Sequence, residues 1–147
     1  MGTISKNFSY REFEKSNTAD ALEICNVITT ASVRDAVKAL TLEVLQPLRD
    51  YIGLPVVISS GYRHPKLNVA VGGSPKSQHM KGEAADIYAL LAGQRVPPEE
   101  LARIIVALAL PFDQLIIYPS FIHVSHRLNG KQRGRVMYDV SYKGPRL

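Results

Sequence analysis

The sequence predicts an α+β fold, a single domain in which N-terminal helices pack on a mainly antiparallel sheet. Three observations carry this expectation. Apolar residues recur three or four apart from Val33 to Ile52, the stripe of a helix lying on a core. After Gly53 the period changes, and residues 55–60 read as a short buried strand. Segments 84–89, 113–118 and 121–126 then follow as further strand candidates, the last two separated only by Pro119-Ser120. With 147 residues, 46% of them hydrophobic, the chain is long enough to bury one core and short for two, so one domain is expected over 1–147.

Taken in order, Ser9 followed by Glu12 forms a capping box that opens a short helix, and a second helix starts near Asn17 or Thr18. Ala21, Leu22, Cys25, Val27 and Ile28 read as an amphipathic helix with Cys25 as a small core residue. Cys25 is the lone cysteine, so no internal disulfide can form. Ser32 is expected to cap the longest helix, whose stripe is Val33, Val37, Leu40, Val44, Leu48 and Ile52. Pro47 is expected to kink it or end its regular part. The strand at 55–60 runs into a turn over 61–65, and a short helix lies between Pro65 and Gly72-Gly73. Pro97-Pro98-Glu99-Glu100 begins a helix with acid in its first turn that continues through Leu101, Ile104, Ile105 and Leu108. Segments 113–118 and 121–126 form a hairpin, and 133–142 adds another strand.

The N-terminus lacks the long apolar run of a secretory signal, and nowhere do 18 uncharged apolar residues follow one another. The expectation is a chain made in the cytoplasm, with no membrane partner. Charge is unevenly placed: residues 1–126 balance, and the net charge of +5 arises within the basic segment 127–147. Such an end suits an anionic polymer, either nucleic acid or a wall bearing carboxylates and phosphates. It equally suits a solvated edge guarded by Lys and Arg. No aromatic or helix-turn-helix pattern supports a nucleic-acid partner, and none is expected.

Polar residues that folding alone does not explain fall in three segments: 60–64, 77–86 and 121–126. Gly82 argues against one helix carrying both His79 and Asp86, so His79 is expected on a loop and Asp86 on the strand beginning near Ala84. Small residues there, Gly82, Ala84 and Ala85, allow backbone and metal to approach closely. A catalytic metal needs three protein ligands and one open position. In 121–126, strand alternation puts His123 and His126 on opposite faces. His123, inside the apolar run, is the better third ligand. Two imidazoles and a carboxylate suit zinc, with copper, nickel, cobalt or manganese as alternatives. The structural alternative is a hydrogen-bonded core histidine at each site, with Asp86 paired to Lys81 or Arg63.

The run from Ser77 to Asp86, Ser-Gln-His-Met-Lys-Gly-Glu-Ala-Ala-Asp, resembles the S-x-H-x-x-G-x-A-x-D signature of the zinc D-Ala-D-Ala carboxypeptidase family of metallopeptidases, matching at every fixed position. Ser60-Gly61-Tyr62-Arg63 is similar to the family's S-G-Y/F-R turn, and Ile122-His123-Val124-Ser125 to its closing W/I-H-V-S strand. The front of the chain, including 8–13, is similar to a bacterial and phage branch. The resemblance implies a fold of the hedgehog and DD-peptidase type. It implies one zinc ion on His79, Asp86 and His123, with Arg63 holding a substrate carboxylate or polarised carbonyl and Ser77 touching substrate. It further implies hydrolysis of a peptide bond in peptidoglycan stem peptides, by carboxypeptidase or endopeptidase action. The site of action would then be the bacterial wall, reached through lysis, a holin or incorporation into a particle. Tyr62 and His64 are weaker candidates for the pocket.

One departure concerns the general base. Better-known members of that family carry Glu or Asp three residues before the last ligand, where this chain has Ser120. Serine cannot accept that proton at neutral pH. Asp113 is the nearest acidic replacement and His126 the next. Glu83 sits beside the ligands, but strand alternation points it away from Asp86's side if the strand has already begun there. The alternative function is a zinc-containing wall-binding or structural module without catalysis.

Overall fold

A computed structural model describes residues 2–147. Strands β1 (Thr3–Ser5) and β2 (Phe8–Ser9) pair antiparallel, a ribbon that sequence patterning did not suggest. They feed α1 (Tyr10–Glu14), whose capping box is the expected one: the Ser9 N–H donates to Glu12 Oε2 at 2.7 Å. In α2 (Asn17–Ala21) the Ser16 hydroxyl accepts from the Ala19 N–H.

The helix expected around Cys25 is absent. The chain turns at Glu23, with φ at 56°, and runs without helix to Thr30. In this extended stretch alternate residues face inward, so Asn26 and Ile28 are buried while Cys25 and Val27 are exposed. A period of two replaces the period of 3.6 that the apolar spacing suggested.

The long helix begins as α3 (Ala31–Leu40), capped by Thr30 rather than Ser32. It passes through a π-helical turn (Thr41–Leu45) into α4 (Gln46–Ile52). Pro47 thus interrupts the regular part of the helix, as expected, without ending the helical run. Its ring would crowd the Glu43 carbonyl four residues back in a regular helix, and the wider turn just before it relieves that contact. Gly53, at φ 65°, closes the helix in the left-handed conformation.

The main sheet contains β3 (Val56–Ser60), β4 (Ala84–Leu91), β7 (Ile122–Ser125), β6 (Gln114–Ile117) and β8 (Arg135–Tyr138), in that order, with the two-residue β5 (Gln94–Arg95) added to β4. Every pairing is antiparallel except β6 with β8. Helices α5 (Pro65–Ala70) and α6 (Pro98–Ala107) start on prolines at their first positions, as expected.

Alternation along the strands gives the sheet two characters. Ile87, Leu115, Ile117, Ile122 and Val124 are fully buried and join Val37, Leu40, Val44 and Leu48 of the long helix, with Leu101 and Ile105 of α6, in one core. Each such Leu or Ile contributes roughly 1.5–3 kcal/mol by leaving water. The intervening residues Asp86, His123, Gln114 and Ile116 face the opposite way, onto a cavity. The core therefore fixes the strands whose other face carries the chemistry.

Candidate functional site

Strand register brings the site together. Ser60 stands opposite Asp86, Asp86 opposite His123, and His123 opposite Ile116, a single row across four strands. Adjacent strands lie about 4.8 Å apart, so the Asp86 and His123 side chains meet on one face, with His123 Nδ1 3.0 Å from Asp86 Oδ1.

His79 reaches the same point from a 3₁₀ turn (Gln78–Lys81), as expected of a loop residue. Ser77 caps the turn, its hydroxyl accepting from the His79 N–H at 3.2 Å. Gly82 ends it at φ 74°, and a Cβ there would lie 2.7 Å from the Val33 carbonyl oxygen. The smallness of Gly82 therefore seats the turn against α3 and does not serve the approach of a metal.

His79 is buried, and its Nδ1 lies 2.7 Å from the Gly61 carbonyl oxygen. A carbonyl only accepts, so Nδ1 carries the proton. In the neutral ring Nε2 then offers a lone pair, 3.3 Å from Asp86 Oδ1. Burial pushes the His79 imidazole down, which keeps it neutral. Burial alone would raise the Asp86 carboxyl, but the imidazoles of His123 and His79 outweigh it and hold Asp86 well below the usual carboxylate range. One ligand atom from each of the three lies within 4.8 Å of the others. Two imidazole nitrogens and a carboxylate oxygen gathered this closely form a donor set that fits a single divalent ion of the zinc type.

Arg63 stands beside this cluster. Its Nε donates to Ser60 Oγ at 3.1 Å, one terminal nitrogen to Asn68 Oδ1 at 3.3 Å, and the other lies 3.6 Å from Asp86 Oδ2. The guanidinium is held on three sides and lines the cavity, a space of about 620 Å³ that Ser77, His79, Asp86 and His123 also line.

Other expected residues do not line it. Asp113 is fully buried just before β6. Its Oδ1 accepts from the Arg133 backbone N–H and Nε, and its Oδ2 from another Arg133 nitrogen and from Gln78. The Arg133 guanidinium, outweighing burial, holds the Asp113 carboxyl down at about 2. A carboxylate so acidic and so fully engaged is a weak proton acceptor. His126 is buried with Nδ1 against the Pro111 carbonyl at 2.6 Å, also outside the cavity lining. Ser120 lines a separate groove, where its carbonyl accepts from Arg95. Tyr62 packs in the core and His64 caps α5, accepting from the Lys66 N–H.

Sequence reasoning missed several cavity residues. Glu83 precedes β4, so the alternation that would point it away does not apply, and it lines the cavity. Tyr118 follows β6 on the face of Ile116 and also lines it; burial, with Asp86 nearby, pushes its phenol up and keeps it protonated. Asn68, buried on α5 outside the cavity lining, was also missed as a partner of Arg63; it had one readable sign, an amide among apolar helix positions. Gln78 and Arg133 had none.

A family model described as peptidase M15 matches residues 6–125. A stretch of 84 residues is 32% identical to the zinc D-Ala-D-Ala carboxypeptidase of Streptomyces albus G, covering 56% of this chain and 31% of that protein. The match thus spans less than a third of that relative's length.

Proposed function

The chain belongs to the peptidase M15 family, and from that premise we propose that it is a zinc-dependent peptidase hydrolysing a peptide bond in the stem peptides of bacterial peptidoglycan, acting at the cell wall. The observation that carries the proposal is the convergence of His79, Asp86 and His123 on one face, with Arg63 fixed at their side. The name of the similar Streptomyces protein supports zinc as the ion and a D-alanine-ended peptide as the substrate class.

His79 Nε2, Asp86 and His123 Nδ1 would hold the ion, which when bound supplies Lewis acidity. The remaining tasks fall to side chains of the cavity. Arg63 meets a substrate carboxylate or a developing oxyanion with a charged donor that needs no reorganisation. Ser77 presents its hydroxyl at the start of the 3₁₀ turn. Proton exchange is assigned to Glu83 and Tyr118, which line the cavity, in place of Asp113 and His126, which do not. Glu83 is the one cavity carboxylate outside the ligand set among the described residues; its oxygens accept from Gln78 and from the Leu128 N–H.

The test is the full chain loaded with one equivalent of zinc and incubated with intact peptidoglycan. New amino groups with free D-alanine indicate a carboxypeptidase, and new amino groups alone an endopeptidase. A second reading, a zinc-containing module that binds wall peptide without cutting it, is favoured by the engagement of Asp113 with Arg133. Retained zinc with peptide binding and no new amino groups would select it. A Glu83→Gln or Tyr118→Phe protein that keeps its zinc but loses about 10²-fold in kcat identifies the proton carrier.

A further inference from the structure

The cavity is lined by more positive charge than the proposed chemistry uses. Arg63 faces Asp86, but Lys76, Lys81, Arg127 and Arg133 also line it, against Glu83 as the carboxylate outside the ligand set. Lys76, Lys81 and Arg127 have no carboxylate within 4.0 Å among the described residues. Arg127 and Arg133 belong to the basic segment 127–147, so part of that charge is turned onto the cavity.

Arg133 is the one fixed in place. Nε and one terminal nitrogen grip both oxygens of Asp113 at 2.9 and 2.8 Å, and its own backbone N–H holds Asp113 as well. Asp113 is fully buried, and Gln78, on the turn that carries His79, donates to it at 3.2 Å. This ties the guanidinium to the frame of the ligand cluster. Neutralising a buried carboxylate would be reason enough for the pair. Yet that duty occupies one edge of the fork, and the side chain stays 45% exposed while lining the cavity. A guanidinium has five N–H donors, so its other edge still presents donors in a geometry that matches a carboxylate.

We propose that Arg133, held by Asp113 as its positioning residue, binds a second substrate carboxylate distinct from the group met by Arg63, so that the preferred substrate is a peptide with a free carboxylate on a residue away from its C-terminus. This rests on the peptide-binding reading given above and deepens it. Lys76 and Arg127 add positive charge around the same group and raise the local concentration of an anionic peptide.

The experiment uses two synthetic peptides of the form L-Ala–γ-D-Glu–L-Lys–D-Ala–D-Ala, one with the glutamate α-carboxylate and the other with its carboxamide. Equilibrium binding to the full chain is measured with zinc, and again after chelation, where no turnover interferes; kcat/KM is measured with zinc. The wild-type protein is expected to bind the acid about tenfold more tightly than the amide. Arg133→Gln should bring the two within about twofold. Asp113→Asn, which keeps the guanidinium but loosens its seat, should leave an intermediate ratio, a change that lost stability alone would not produce. Because Arg133→Gln leaves a buried carboxylate unpaired and can fail to fold, the double variant with Asp113→Asn removes both charges together and should also lose the preference. No wild-type preference, binding of neither peptide, or a preference surviving in the folded Arg133→Gln or double variant would overturn the proposal. Turnover without preference leaves the peptidase reading standing and removes this one; Arg133-dependent preference without turnover does the reverse.

Discussion

The cavity wall that carries His79, Asp86 and His123 and the wall that carries Arg133 are built in different ways. In the first, Asp86 and His123 are register partners on adjacent strands, and a short turn capped by Ser77 brings His79 to them. Their positions follow from local periodicity and one strand pairing. In the second, Arg133 from the irregular stretch before β8 meets Asp113 twenty positions away, and Gln78 reaches Asp113 across thirty-five. That wall exists only once three distant segments have packed. The lesson is that the first wall is set by secondary structure and one strand register, whereas the second depends on side chains brought together from three separate segments.

The largest effect that sharpens this contrast is loss of a ligand. His79→Ala should weaken zinc binding by at least about 100-fold, read as metal content after dialysis against a weak chelator. Arg133→Gln should leave metal content unchanged. Zinc retained in the His79→Ala protein would dissolve the contrast, because the ligand wall would not be where the metal sits.

A smaller effect is expected at Arg63, which stands between the two walls. Arg63→Lys keeps the charge but gives up the planar fork that spans Ser60, Asn68 and Asp86. A fall of about 10- to 100-fold in kcat/KM is expected, with zinc content intact. An unchanged kcat/KM would take Arg63 out of the reaction.

The smallest effect belongs to the assembled wall and is read from pH. The Asp113 carboxyl is depressed from 3.8 to about 2 in the folded protein. Its contribution to stability is therefore fully present above the unfolded value, and is lost as pH falls from there through about 2. Asp113→Asn removes that contribution. Its destabilisation relative to wild type, measured by denaturant unfolding, should be constant at neutral pH and shrink across that acidic window. A difference that stays constant down to pH 2 would mean that the pair with Arg133 does not hold Asp113 in solution as it does in the structure.

The fold was largely legible in the chain. The strands around 55–60, 84–89, 113–118 and 121–126 announce themselves by β-branched and apolar alternation, and all four appear within a few residues of where patterning puts them. The clearest error is a local pattern that tertiary packing overrides. The segment around Cys25 has helical spacing, yet it runs extended beside the Ser60–Arg63 turn, where Asn26 donates to the Tyr62 carbonyl and accepts from the His64 N–H. At Pro47 the expected interruption of regular helix is present as a π turn, within a helical run that continues past it.

For the site, the sequence by itself determined which side chains stand on which face of their own turn or strand, and its family resemblance named the set; the pairing of β4 with β7 then brought Asp86 and His123 together. A capped turn, a strand start and strand alternation orient His79, Asp86 and His123 locally, all short-range properties of the backbone. What only the tertiary structure decided is what surrounds them. Asp113 read as a general base because it lies near the hairpin in sequence, but it is buried and claimed by Arg133; Glu83 read as pointing away, but it precedes the strand and lines the cavity. Whether a carboxylate is a base, an anchor or a ligand depends on which donors desolvate and engage it. Those donors come from residues 78 and 133, whose approach to Asp113 no local pattern encodes.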